Sequence, residues 1–121
     1  MLPTQSSYTV TIPVYEGPLA LLLDLIERAE LDITSVSLAQ VTDQYLTYVR
    51  ALAQVTADEI SSFLVIASKL IQIKSEALLP RPPVREVGEV NPAEDLARQL
   101  RMYKRFKEIG LWLEDRQGKN L

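Results

Sequence analysis

Apolar and polar residues alternate at only one place in the chain, between Tyr8 and Val14. There Tyr8, Val10, Ile12 and Val14 point one way, and Thr9 and Thr11 the other. This period of two predicts a short β-strand. A lone strand must lie against helices or pair with another chain. From Pro18 the spacing turns helical: Leu19, Leu22, Leu23, Ile26 and Ala29 share a side, with Asp24, Glu27 and Arg28 opposite. A first helix is expected from Pro18, a favoured first helical residue, to near Glu30. Ser37 with Gln40 forms a capping box for a second helix striped by Leu38, Val41, Tyr45, Tyr48, Val49 and Leu52. Residues Ala53 to Val55 read as a connection, and Thr56 with Glu59 as a second box opening a third helix, Ala57 to Leu79.

The third helix has more apolar surface than an ordinary surface helix needs. Ile60, Phe63, Leu64, Ala67, Leu70, Ile71 and Leu78 form one stripe, and Ile66, Ile73 and Ala77 widen it. Together they cover roughly half the circumference. Two readings stand side by side: a central helix touched by several neighbours, or an edge of Ile66, Leu70, Ile73 and Ala77 open to a partner helix. Residues 81–91, following Pro80, read as a Pro-rich linker, because three prolines in four residues end the helix. Asn91-Pro92-Ala93-Glu94 starts a fourth helix running to about Asp115, with Leu96, Leu100, Tyr103, Phe106, Gly110 and Leu113 on its apolar side. Residues 117–121 read as a frayed tail. The expected fold is all-α: a bundle of three helices over residues 1–80 with a short amino-terminal strand, the linker, and a long fourth helix over 92–121.

Composition narrows the chemistry. The 121 residues are 47% hydrophobic and 24% charged, enough for a packed core. There is no cysteine and no histidine, which removes thiolate and imidazole ligands and the usual nucleophilic triads. Glu27, Glu30 and Asp32 lack a pocket that would separate their pKa values, so a solvated helix end explains them. Four unclustered glycines make no phosphate loop. Ser68 and Lys69 diverge as neighbours on a helix and form no dyad. No catalytic residue, metal ligand or cofactor is expected. The densest apolar run, Leu19 to Ile26, is broken by Asp24 and too short to span a bilayer.

Charge is divided unevenly. Residues 1–79 carry 4 basic and 9 acidic side chains, and residues 80–121 carry 9 basic and 7 acidic. Between Arg98 and Lys107 five cations fall without an acid, so Arg98, Arg101 and Arg105 are candidate phosphate contacts. The competing reading is a solvated face opposite an apolar stripe, favoured by the net charge of −3. Tyr103 and Phe106 lie on the apolar side, away from most of the cations, which argues against base stacking.

Four blocks, in order, resemble segregation and condensation protein A, the bacterial kleisin family. They are Val14-Tyr15-Glu16-Gly17-Pro18-Leu19 with its leucine run to Ile26; Leu31-Asp32-Ile33 with Val41-Thr42-Asp43-Gln44-Tyr45-Leu46; Phe63-Leu64-Val65-Ile66-Ala67 with Ile73 to Pro80; and Leu100 to Lys107. Ala20 departs from the acidic residue usual at that position. The resemblance implies a cytoplasmic, nucleoid-associated, non-catalytic adaptor of the SMC condensin complex. Its amino-terminal helical domain would pack on the coiled-coil neck of an SMC ATPase, and its middle segment would be held by a dimer of segregation and condensation protein B. DNA would be reached only through the complex, and no membrane is involved. A winged helix would not fit within this length, so the resemblance implies a fragment. Carried onto this sequence, Ile66, Leu70, Ile73 and Ala77 become the expected neck contacts. Tyr103, Phe106 and Leu113 become those for the partner-B dimer. The alternative is a small helical DNA-binding or regulatory domain using the basic face of helix four.

Overall fold

Local chemistry sets where each helix begins and ends. In the computed structural model, which describes residues 12–119, α1 spans Pro18–Arg28, α2 Ser35–Val55, α3 Ser61–Ala77 and α4 Pro92–Lys119. The chain is all-helical over this range, with no strand among the described residues. Residues 8–11 of the expected strand lie outside them. Ile12, Pro13 and Val14 take no strand conformation, and Pro13 has no N–H to give a ladder.

The first helix closes with a Schellman motif. The Leu31 N–H donates to the Ile26 carbonyl at 3.1 Å and the Glu30 N–H to that of Glu27 at 3.0 Å. Glu30 occupies the left-handed position (φ 57°) usually given to glycine. The second helix starts earlier than its sequence signal suggests. Thr34 is the cap: its hydroxyl accepts the Ser37 N–H at 3.1 Å, while Ser37 Oγ accepts the Thr34 N–H at 2.9 Å. Ser37 is therefore the inner partner of the box and not its cap. α2 then continues through Ala53–Val55. The expected Thr56–Glu59 box does not form: α3 begins at Ser61 after Ile60, without a side-chain cap. Residues 57–59 are instead consumed in reversing the chain. Asn91 behaves as expected, accepting the N–H groups of Ala93 and Glu94 at 3.0 and 3.3 Å.

One core joins all four helices. Leu21, Leu22, Leu23 and Ile26 of α1 meet Leu38, Val41, Tyr45 and Val49 of α2, Phe63, Ile66, Ala67, Leu70 and Ile73 of α3, and Leu96, Ala97 and Leu100 of α4. The first half of α4 is thus the fourth wall of the bundle. α2 and α3 run antiparallel, since Tyr45 reaches Phe63 and Asp43 reaches Lys74. The Tyr45 hydroxyl is buried and donates to the Phe63 carbonyl at 2.8 Å, so a polar tip is satisfied inside an apolar core. The 81–91 linker is fastened by an ion pair between Arg85 and Glu76. It turns at Gly88, whose φ of 94° suits glycine, with the Glu89 N–H donating to the Glu86 carbonyl at 3.1 Å.

The segment before α1 fastens the bundle. Tyr15 donates to Asp24 of α1, and its ring meets Tyr48 of α2 edge-on at 5.4 Å. Tyr48 in turn lies 6.2 Å from Phe63 of α3. Glu16 accepts from the Tyr103 hydroxyl of α4 at 3.4 Å. The carbonyl of Gly17 receives the first helical bond, from Leu21, at 3.2 Å. The Tyr-Glu-Gly-Pro stretch therefore touches three helices within four residues.

Candidate interaction surfaces

Two helices carry more apolar surface than the core absorbs, and the excess lies where each helix turns away from the bundle. On α3 the inward side holds Phe63, Ile66, Ala67, Leu70 and Ile73. The edge expected to stay open therefore does not: Ile66, Leu70 and Ile73 are buried, Leu70 completely, against the chain's own helices. They face a core built jointly by all four helices, with α2 as the main neighbour of α3 and α1 and α4 adding to it. Ala77 alone of that set is exposed, at the end of α3 beside Pro82, Pro83 and Arg85. The surplus is a different line, Leu64, Ile71 and Leu78, all exposed. Seven-residue spacing at about 3.6 residues per turn stacks these three along one strip. Beside it Lys74 pairs with Asp43 of α2 at 2.7 Å.

On α4 the division is sharper. Leu96, Ala97 and Leu100 are buried, while Met102, Phe106, Ile109, Leu111, Trp112 and Leu113 are all exposed. At about 100° per residue, Met102, Phe106, Ile109 and Leu113 fall within about 60° of one another, on the side roughly opposite Leu96 and Leu100. Their four-three-four spacing is that of a coiled-coil seam. The single apolar side read from the sequence is thus two faces. Of the residues assigned to it, Tyr103 is half-buried against the core and bonded to Glu16, whereas Phe106 and Leu113 belong to the outer strip. Met102 and Ile109 complete that strip; the spacing alone would have found them.

The cations of α4 are divided too. Arg101 donates to the Ile33 carbonyl at 2.9 Å and Lys104 lies 3.7 Å from Glu27, so both help hold α4 to the end of α1 and the turn before α2. Arg98 stands 3.7 Å from Asp95. Arg105 is exposed, with no ion pair among the described residues, and Arg116 stacks over Trp112 at 4.8 Å. The candidate phosphate contacts therefore do not converge as one free patch.

A third apolar feature is a half-open groove of about 420 Å³ between the amino-terminal segment and the α2–α3 turn, lined by Pro13, Tyr15, Tyr48, Leu52, Val55 and Phe63 among others. The Tyr48 hydroxyl donates across it to the Pro13 carbonyl at 2.5 Å, and burial raises the pKa of its phenol. Tyr15 is raised chiefly by the hydrogen bond it gives Asp24, and Tyr103 by burial beside Glu16. All three stay neutral donors across the physiological range. Among the described residues no cluster of three or more Asp or Glu could hold a metal. No helix among them is long and apolar enough to cross a membrane.

Residues 25–120 match the family model described as segregation and condensation protein ScpA. The chain is 40% identical over 116 residues to segregation and condensation protein A of Caldanaerobacter subterraneus subsp. tengcongensis, covering 93% of this chain and 47% of that protein. It is 39% identical over 116 residues to the protein of the same name from Halalkalibacterium halodurans, covering 92% and 45%. To that of Bacillus cytotoxicus it is 38% identical over 115 residues, covering 91% and 46%. The chain spans about half the length of the curated relatives it matches.

Proposed function

The chain belongs to the segregation and condensation protein A family, and on that premise we propose that it is the amino-terminal part of a kleisin: a non-catalytic adaptor, working in the cytoplasm at the nucleoid, that serves chromosome condensation and segregation. Its bundle takes the coiled-coil neck of an SMC ATPase on the outer strip of α3. The second half of α4 is offered to the dimer of segregation and condensation protein B.

The observation that carries this reading is the exposed line of Leu64 and Ile71, continued by Leu78 at the C-cap, on a helix whose other side is locked in the core. A rigid helix with a seven-residue apolar repeat fits the seven-residue repeat of a coiled coil, and pairing would bury both. Such burial stabilises by roughly 25 cal/mol per Å² before the costs of association are met. Because Ile66, Leu70 and Ile73 are held inside the bundle, substitutions there would test folding and not docking.

The experiment is calorimetric titration of the chain against SMC head constructs with and without the neck. Leu64→Glu combined with Ile71→Glu is expected to abolish neck-dependent binding while circular dichroism stays unchanged. Undiminished affinity in that double variant overturns the assignment of this strip.

A further inference from the structure

The outer strip of α4 has one charged flank and one neutral flank. Arg98, Arg105 and Arg116 lie along one side of Met102, Phe106, Ile109 and Leu113, and Trp112 fills the gap between the last two arginines. Gln99 and Gly110 lie along the other. Glu108 and Asp115 fall beyond the arginines, further round the helix by about one residue's rotation. Asp95, in line with the strip at its start, already accepts from Gln99 at 2.8 Å and faces Arg98. The cation nearest the middle of the strip, Arg105, is exposed and lines a shallow recess of about 280 Å³ with Glu108, Ile109 and Trp112, making no ion pair with that carboxylate.

Resting on the reading that the second half of α4 docks on the partner-B dimer, we propose that the surface receiving it is an apolar groove rimmed on one side by carboxylates that meet Arg105 and Arg116. The apolar strip supplies burial, and the arginine flank supplies register and orientation, as charges beside a helical seam do. Guanidinium groups pair carboxylates in two-pronged fashion and remain charged at any relevant pH. Trp112 holds the Arg116 guanidinium over its ring at 4.8 Å, which restricts that side chain before a partner arrives. A second copy of this chain is a poor occupant. Antiparallel pairing would set the arginine flank against its own copy, and parallel pairing would turn it toward the uncharged Gln99 and Gly110. Nucleic acid is a poor occupant as well, since phosphates offer nothing to the exposed Met102, Phe106, Ile109 and Leu113.

Calorimetric titration of the chain with the partner-B dimer, at low and at high salt, tests this. Phe106→Glu with Ile109→Glu probes the strip. Arg105→Glu with Arg116→Glu probes the rim. Ser61→Glu, Ser62→Glu, Ser68→Glu and Ser75→Glu together, on exposed positions of α3, change the net charge by the same amount and control for it. The proposal expects the strip variant to lose binding, the rim variant to weaken it by about tenfold or more at low salt with a flatter salt dependence, and the control to bind like wild type. Loss in the strip variant with none in the rim variant overturns the acidic rim and leaves partner-B docking standing. Equal weakening of rim and control variants also overturns the rim, by reducing it to net charge. Full binding by both strip and rim variants overturns the docking reading and the rim with it. Wild-type dimerisation in sedimentation that the strip variant abolishes, or a duplex DNA shift that only the rim variant loses while partner-B binding persists, overturns the rim in favour of self-association or phosphate contact.

Discussion

The two halves of α4 are one continuous helix with opposite uses of the same residue types. From Pro92 to Tyr103 its leucines and alanines turn inward, and Leu96, Ala97 and Leu100 join the core of the other three helices. Beyond Lys104 its apolar residues, Phe106, Ile109, Leu111, Trp112 and Leu113, stay exposed. Phe106, Ile109 and Leu113 swing to the far side of the helix, and Leu111, though in line with Leu100, stays exposed as well. On the proposed reading, a helix hidden on one side in its first turns and apolar on the other in its last turns would separate holding the fold from meeting a partner. Substitutions should separate in the same way: the first half governs stability, and the second half governs association.

The largest expected effect is in the first half. Leu100 is fully buried, so Leu100→Ala should cost about 2–5 kcal/mol of unfolding free energy, read from the midpoint in urea. A cost below about 1 kcal/mol would mean that α4 does not wall the core, and the contrast between halves would collapse. Tyr45→Phe, beneath the same core, should cost about 1–2 kcal/mol by removing the bond to the Phe63 carbonyl. It has a pH signature as well. Burial holds the Tyr45 phenol above its ordinary 10.0, so the unfolded chain ionises first. The contribution is whole below about pH 10 and falls as pH rises further. In Tyr45→Phe the alkaline loss of stability should be shallower than in wild type. Tyr15, Tyr48 and Tyr103, raised in the same direction, leave a remainder.

Much of this contrast was legible in the chain, and the rest failed for identifiable reasons. Four helices, the Asn91 cap and the Pro-rich break follow from local chemistry and were readable. The Thr34 cap was missed because Ser37 satisfies the same rule as a cap or as the inner partner of one, and only the hydrogen bonds distinguish them. On α3 the width of the apolar arc was readable, but which edge is surplus was not. That depends on how all the other helices pack around α3, which the turns and the 81–91 linker do not dictate. With Ile66, Leu70 and Ile73 buried in the joint core, the large apolar residues left exposed along α3 are Leu64, Val65 and Ile71, continued by Leu78. On α4 a stripe read as one face shifts by about 100° round the helix between Leu96 and Leu113. Only the buried neighbours of Leu96 and Leu100 reveal the turn between its two faces.

A smaller effect sharpens the comparison from the second half. Gly110 sits in the outer part of α4, and a Cβ there would meet nothing within 4 Å. Gly110→Ala should therefore strengthen the helix by about 0.5–1 kcal/mol through backbone entropy alone. Because this part of α4 is outside the core, the gain should appear as slower amide exchange around residues 106–114 and hardly at all in the global midpoint. A matching rise in the global midpoint would show the outer half to be coupled to the bundle after all.

The smallest expected change in stability is the most telling. Phe106 is 68% exposed, and alanine is a better helix former than phenylalanine, so Phe106→Ala loses little burial and gains a little propensity. The two nearly cancel, and the unfolding free energy should stay within about 0.5 kcal/mol of wild type. Leu100→Ala, six residues earlier on the same helix, should differ from it several-fold. Thermal and urea unfolding of both variants beside wild type measures that ratio directly. Phe106, Ile109 and Leu113 each stay about half exposed or more, so they gain little burial from the chain's own fold. If Phe106→Ala proved as costly as Leu100→Ala, the phenyl ring would be serving the bundle, and no partner would be needed to explain it.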